Sequence, residues 1–364
     1  MRWCIGWLLW LPGLAQALPL VWQCSLGGHC VPEDGLVLGS RYQQSPASWP
    51  LRAGGQELAA LPAKPAFGAV AALGQALFFD PRLSADGSLS CASCHQPEAA
   101  FADARRVSVG VGGALGQRNA PSVLHGDLWP ALFWDGRAKD LASQAKDPLT
   151  NPIEMASSPE QAVSLVAGDP AYRFLWQQAY GDQAPAWPGL AGALAAYQGG
   201  LAGPWSAYEL FMQGVALNSE WLTSNSLTDQ ELQGLHLFRT KAGCIRCHGG
   251  PLLSDGDFHV TGLSFYQRPF EDQGRYLVTG KGADMGAFRT ASLRHLKHSG
   301  PWMHNGLFTD LRGIIRFYSH GGARPKPRRE QRLDPLLPVT SSELVPFRLS
   351  RQEEEALLAF LQAL

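Results

Sequence analysis

The segments CASCH (Cys91 to His95) and CIRCH (Cys244 to His248) constrain this chain more than anything else in its 364 residues. Each holds two cysteines separated by two residues, with a histidine directly behind them. A thioredoxin-like redox pair needs one Cys-x-x-Cys in a βαβ setting, and no such strand pattern surrounds either copy. A zinc site draws on the same residue types, but the usual Cys-x2-Cys spacing gives the adjacent histidine no role. Structural disulfides leave both histidines unexplained. Covalent haem accounts for all three residues: the thiols take up the two vinyl groups as thioethers, and the histidine stands beneath the iron as its proximal ligand. The sequence therefore predicts two covalently bound haem c groups, held at Cys91 and Cys94 and at Cys244 and Cys247, with His95 and His248 on the irons.

The chain opens MRWCIGWLLWLPGLAQA, one Arg ahead of an apolar stretch that closes on the small-x-small pattern of a signal-peptidase site. Cleavage after Ala17 and a periplasmic location are expected. The apolar run is shorter than the ~20 residues that cross a bilayer, and no later segment is long and apolar enough, so no integral membrane span is expected after cleavage. Of the seven cysteines, Cys4 leaves with the signal, while Cys24 and Cys30 are free to pair in an oxidising compartment. Spacing alone leaves that bridge open. With a formal net charge of −1 and no long basic run apart from RPKPRRE, nucleic acid is not an expected partner.

LGQALFFDPRLSADGSLSCASCH precedes the first haem motif and LQGLHLFRTKAGCIRCH the second, each an apolar helical turn with a Gly and a Leu-Phe pair before a polar loop. The correspondence marks a duplicated module. SPEQAVSLVA, LAGALAAYQGGLA, LTDQELQGLHLF and SRQEEEALLAFLQAL have helical apolar spacing, and three of them open on Ser or Thr with an acid or Gln close behind. Strand-like alternation is nearly absent. The expected fold is mainly α: two cytochrome c-like haem domains with long ordered loops, for which the 26 prolines and 40 glycines provide. The polar stretch VALNSEWLTSNS sets the boundary, giving an N-terminal haem domain at 56–222 and a C-terminal one at 223–364, preceded by an arm at 18–55 of undetermined role.

The stretches RNAPSVLHGDLWPALFWDGRAKDLASQAKDPLTNPIEM and MGAFRTASLRHLKHSGPWMHNGLFTDLRGIIRFYSHGG, with the two CxxCH sites, resemble the bacterial dihaem cytochrome c peroxidase and MauG family from about Phe67 to the C-terminus. The resemblance implies two all-helical c-type domains, a calcium ion between them, and a peroxide-reactive N-terminal haem fed through a C-terminal one. It implies Glu154 in NPIEM as the catalyst that moves the peroxide proton. Trp134 in LFWDGR matches the family's aromatic relay between the haems, a role compatible with core packing. Asn119 and the backbone oxygens of Ser299 and Pro301 match the calcium ligands; the family more often has Thr at position 299, a change that a backbone ligand survives.

Two further positions set this chain apart within the resemblance. Peroxidases of the family place a methionine in the sixth position of the second haem and MauG a tyrosine; the matching residue in IIRFYSHGG is Tyr318, with Met285 and Met303 as rivals that are also readable as core filler. Members that require reductive activation hold a distal histidine in S-x-G-H-G, where this chain reads SVGVG with Val111 in its place. Valine cannot ligate iron, so an open N-terminal haem is expected, with His125 the nearest histidine that could cap it. The expected enzyme is a haem peroxidase that reduces hydrogen peroxide with electrons from a small cytochrome c or cupredoxin. The alternative is a MauG-like enzyme that spends peroxide on side chains, such as Trp, of a protein substrate. A pure electron-transfer cytochrome would need neither the open haem nor Glu154.

Overall fold

The computed structural model describes residues 22–24 and 30–364. The signal segment and its cleavage after Ala17 lie outside the described residues. So do the thiols of Cys24 and Cys30, whose backbones face each other in a short antiparallel pair.

Two buried clusters organise a mainly helical chain. In the first, the helix Ala69–Phe79 crosses the helix Trp187–Gly200, and Leu73, Leu77, Phe78, Leu190 and Leu194 are buried between them with Tyr172 and Trp176. In the second, the helix Asp229–Arg239 lies against the helix Arg351–Gln362, burying Leu235, Phe238, Leu357 and Phe360. Both crossings depend on a glycine three residues ahead of a Leu-Phe pair. A Cβ on Gly74 would stand 1.8 Å from the Ala193 carbonyl, and one on Gly234 would stand 2.1 Å from that of Ala356. The module repeat in the sequence is thus a repeat of close helix contacts. The predicted capping signals also form: Ser158 accepts from the Gln161 amide, and capping boxes join Thr228 to Glu231 and Ser350 to Glu353.

The helix just ahead of the expected boundary packs with the second core. The helix Ala207–Leu217, placed with the first domain by the polar stretch behind it, buries Tyr208, Phe211, Met212 and Val215 in the second cluster. Its capping box, Ser206 with Glu209, is the start signal that marks the change. The arm also belongs with the second cluster, since Tyr42, Trp49 and Leu58 are buried there. The guanidinium of Arg239, 1% exposed, bonds both oxygens of Glu57 at 3.2 and 2.6 Å, the Tyr42 hydroxyl at 3.1 Å and the Pro50 carbonyl at 2.9 Å. The Trp49 ring lies 5.0 Å from it.

A second repeat, at a constant offset of 170 residues, lies between the cores. His125 and His295 share positive φ values of 58° and 56°, as do Phe133 and Met303 at 68° and 72°. The bridge Leu132 to Ala138 matches Trp302 to Phe308, and Asp140 and Asp310 each cap the helix that follows. The copies exchange backbone bonds: the Asn119 amide donates to the His304 carbonyl and the Arg289 amide to the Trp134 carbonyl, both at 2.8 Å. Each donor is the counterpart of the other, as in a two-fold interface.

Removing the hub of the arm should detach it. Arg239→Met is expected to cost roughly 3 kcal/mol, since Glu57 loses its buried partner and keeps only the more distant, exposed Arg52 at 3.6 Å, and to open residues 38–60 to protease. Urea unfolding and limited proteolysis check this; an arm as resistant as in the parent protein would show that its apolar contacts alone hold it.

Candidate active site

The C-terminal haem motif follows directly from the helix that ends at Arg239. The short turn Cys244–Arg246 returns the chain so that the His248 amide bonds the Cys244 carbonyl at 2.9 Å. Nδ1 of His248 lies 2.9 Å from the Leu253 carbonyl. A carbonyl only accepts, so Nδ1 holds the proton and Nε2 keeps its lone pair. Burial pushes the pKa of His248 below the ordinary imidazole range, which favours the neutral, ligating form. Cys244 and Cys247 are free thiols. With His248 they line a cavity that leaves about 1800 Å³ unfilled by protein, part of it open to solvent. Its walls include Phe238, Leu293, Ile315 and Leu357.

Three further groups on this wall bear on what the cavity accepts. Tyr318, in the last turn of the helix Leu311–Ser319, lines it, and burial together with the nearby Cys247 and Cys244 sulfurs raises its phenol pKa. Met303 lines it as well. Met285, the other rival ligand, is 1% exposed but is not among the lining residues. Arg289 lies buried with its guanidinium 3.4 Å above the Trp129 ring. Its Nε donates to the Phe133 carbonyl at 3.2 Å, and one terminal nitrogen meets no partner among the described residues. Burial lowers its pKa to about 9. A buried cation with a spare donor calls for an anion, and a haem propionate has that chemistry. Thiols, imidazole, apolar walls and cation together fit a covalent haem. Cys247, Asp255 and His259 also converge as potential metal ligands, but thioether formation takes the Cys247 sulfur from that set.

The N-terminal site repeats the construction. The Ser90 amide donates to the Ser93 hydroxyl at 3.0 Å and starts the helical turn Cys91–Cys94. The His95 amide bonds the Cys91 carbonyl at 2.9 Å, and its Nδ1 lies 3.2 Å from the Phe101 carbonyl. Burial lowers the pKa of His95 too. Two neighbouring loops meet beside this motif. In one, the Asn151 amide group donates to Glu154 Oε1 at 2.8 Å. Burial raises the pKa of Glu154, against the opposing pull of that hydrogen bond and of Arg137, and its charge is felt at the Cys94 sulfur. In the other, the Val111 amide donates to the Glu154 carbonyl at 2.9 Å. Gly110 permits this approach: a Cβ there would lie 1.8 Å from the Ile153 carbonyl. Val111 and Glu154, expected from separate parts of the sequence, therefore stand side by side. His125 does not join them. It stacks on His295 with ring centroids 5.8 Å apart and lines the C-terminal cavity.

Trp134 lies between the two sites. Its indole N–H donates to the Asn119 carbonyl at 2.8 Å, and its ring meets His304 edge-on at 6.3 Å. His304 in turn stacks on Phe288 at 3.5 Å, and all three rings line the C-terminal cavity. On the other side the Ala120 carbonyl accepts from the Asp103 amide at 3.1 Å, and the charge of Asp103 is felt at His95. Asn119, Ser299 and Pro301, the calcium candidates, face the same cavity. Among the described residues no protein donor reaches the Asn119 side-chain oxygen or the carbonyls of Ser299 and Pro301, an oxygen set suited to a hard cation.

Sequence reasoning missed Arg289, Gly110, Asn151 and His304. Two of these had a signal available: SVLHGDLWPALFWDG and SLRHLKHSGPWMHNG align without gaps at the 170-residue offset, which pairs Trp134 with His304 and Asn119 with Arg289.

The sequence profile of the di-haem cytochrome c peroxidase family matches residues 68–216. The chain is 32% identical over 339 residues to a cytochrome-c peroxidase of Denitromonas iodatirespirans, covering 85% of this chain and 86% of that one. It is 35% identical over 298 residues to the methylamine utilization protein MauG of Methylorubrum extorquens, covering 80% and 77%. A solved MauG-like protein associated with microbial copper homeostasis superposes with a TM-score of 0.71 at 32% identity, over 84% of this chain and 92% of that one. Two Cys-x-x-Cys-His modules, a carboxylate beside the first and a cluster of aromatic rings facing the second thus occur in a chain that belongs to the dihaem cytochrome c peroxidase and MauG family of peroxide-reactive oxidoreductases.

Proposed function

We propose that Glu154 is the acid-base catalyst of an N-terminal haem site that is open as made, and that this exported, periplasmic protein uses it to react with hydrogen peroxide. The observation behind the reading is the pairing of Glu154 with Val111: a half-buried carboxyl held by Asn151 toward Cys94, bonded through its own carbonyl to the residue that stands where a capping histidine would. Haem, held covalently at Cys91, Cys94, Cys244 and Cys247 with His95 and His248 as ligands, supplies the redox chemistry. Glu154 takes the proton from one peroxide oxygen and returns it to the other, the transfer that O–O cleavage requires. A raised pKa suits both halves of that task. Trp134 connects the sites, and its indole hydrogen bond to Asn119 ties it to the proposed calcium ligands Asn119, Ser299 and Pro301. A hard ion there holds the two halves of the bridge in register.

Tyr318 favours a specific second reading. A buried tyrosine on the wall of the C-terminal cavity, as sixth ligand of that iron, would stabilise the ferric state and lower its potential, which fits the MauG-like use of peroxide on a protein substrate. Both readings require the same N-terminal chemistry.

Three outcomes follow. Glu154→Gln should slow the reaction with hydrogen peroxide by about 10²-fold or more at unchanged haem content; a rate within twofold of the parent protein removes Glu154 from the mechanism. Because burial raises its pKa, the parent rate should fall on the acid side at a pH above the ordinary glutamate range, and that limb should vanish in the variant. Tyr318→Phe should change the optical and EPR spectra of the C-terminal haem and raise its potential, and Met303→Leu should leave both alone; the opposite pattern assigns the ligand to Met303. Finally, the air-oxidised protein should consume stoichiometric peroxide on rapid mixing, without a reductant, because Val111 cannot cap the iron. A spectrum that stays still until one electron is supplied would overturn the open site.

A further inference from the structure

The chain is nearly neutral as a whole, yet RPKPRREQR at 324–332 sets five basic side chains against one acidic. The fold places this run on the outside of the C-terminal cavity wall. It departs just after Tyr318, where the Gly321 amide bonds the Tyr318 carbonyl at 2.8 Å and the Ala323 amide bonds that of Thr261 at 2.9 Å. It returns through Ser341, whose amide bonds the Val260 carbonyl at 3.0 Å, and Thr261, Leu344 and Val345 line the cavity itself.

Between this run and residues 262–268 lies a cleft of about 820 Å³, lined by Ser264, Tyr266, Arg268, Lys326, Arg328 and Gln331 among others. Arg268, Lys326, Arg329 and Arg332 are exposed and enter no ion pair among the described residues. The acidic groups in the same region are engaged. Glu330 pairs with Arg328 at 3.0 Å, Asp334 accepts from Tyr266 at 2.7 Å and Gln267 at 2.9 Å, and Glu271 lies 3.5 Å from the Gln273 amide nitrogen. Leu333 and Val339, in the same loop, are 94% and 78% exposed. Unpaired cations around exposed apolar side chains combine electrostatic steering with area to bury.

The other approach to this haem site is covered. The Gly250 amide, two residues beyond His248, bonds the Glu57 carbonyl at 3.0 Å, and the Ala53 amide bonds that of Arg239 at 2.7 Å. The Gly55 backbone lies so close to Ile245 that a Cβ would stand 2.0 Å from its carbonyl. The arm therefore lies over the attachment loop, while the basic run is exposed on the outer side of the wall that carries Tyr318.

We propose that a small acidic redox protein docks on this basic face, seating a carboxylate in the cleft between Arg268 and Lys326, and delivers electrons to the C-terminal haem; the proposal rests on the peroxide chemistry given above. Each docking event oxidises the partner by one electron. Two such events, with two protons, balance the reduction of one hydrogen peroxide to two waters.

The test uses the dihaem protein with a reduced acidic cupredoxin, a reduced basic cytochrome c, and ascorbate as a small chemical donor. At low ionic strength the acidic probe should be oxidised at least tenfold faster than the basic one, with a rate that falls steeply as salt is added. Arg329→Glu combined with Arg332→Glu should lower that rate and the calorimetric affinity for the oxidised acidic probe tenfold or more, leaving peroxide turnover with ascorbate unchanged. A basic probe that reacts as fast, or an acidic probe indifferent to the substitutions, overturns the proposal. So does a dimer in sedimentation that the substitutions dissolve without changing probe kinetics, which would assign the face to a second copy of the chain. Failure of ascorbate-driven turnover in the parent protein would instead sink the peroxide reading on which the proposal rests.

Discussion

Two backbone hydrogen bonds of 2.8 Å, Asn119 to the His304 carbonyl and Arg289 to the Trp134 carbonyl, fix how the halves of this protein meet. Each half forms its own attachment site from local contacts: a helix crossing at a glycine, a short turn, and a histidine whose Nδ1 faces a nearby carbonyl. None of those contacts specifies where the second site lies relative to the first. The exchanged bonds do, and they act on the residues that bear function, since Asn119 holds the Trp134 indole and Arg289 enters the C-terminal cavity. Arg118 adds an ion pair in the same place, bonding Asp135 in one half and Asp272 in the other, each at 2.6 Å. Side chains buried at the junction are thus positioned by both halves at once, as the proposed role of Trp134 requires.

Electrostatics divide the junction from the sites. His125, His295 and His304 are buried with their pKa values pushed down, to about 3 for His125 and about 4 for His304, so these three imidazoles stay neutral at physiological pH. Glu154 is shifted the other way by the same cause, desolvation. Burial opposes charge in both cases; at the carboxyl, the Asn151 hydrogen bond and the Arg137 charge pull the other way.

What the sequence disclosed follows the range of the forces involved. The two haem sites were legible because a Cys-x-x-Cys-His motif lies within five residues, and the helices were legible because apolar period and capping residues are local. Glu154, Trp134 and Tyr318 could be named only through the resemblance; nothing in NPIEM by itself distinguishes its glutamate from a surface charge. The adjacency of Val111 and Glu154 was hidden because it depends on a backbone contact between loops more than forty residues apart, permitted by the missing Cβ of Gly110. Which core the helix Ala207–Leu217 joins was not legible in the polar residues of VALNSEWLTSNS behind it, because burial of Tyr208 and Phe211 decides it.

The arm shows how a segment without chemistry of its own bears on function. It could have packed anywhere that offered apolar surface, yet Arg239 gives it a single seat: a guanidinium with 1% exposure needs its carboxylate, hydroxyl and carbonyl partners together, and only residues 42–57 supply them. Seated there, the arm covers the attachment loop at Ile245 and Gly250 and shortens the list of surfaces from which electrons can reach the C-terminal site. The same wall that presents a phenol to the cavity presents unpaired cations to solvent, so the proposed ligand and the proposed docking face share one stretch of chain, and a change in the packing of either face would be felt at the other.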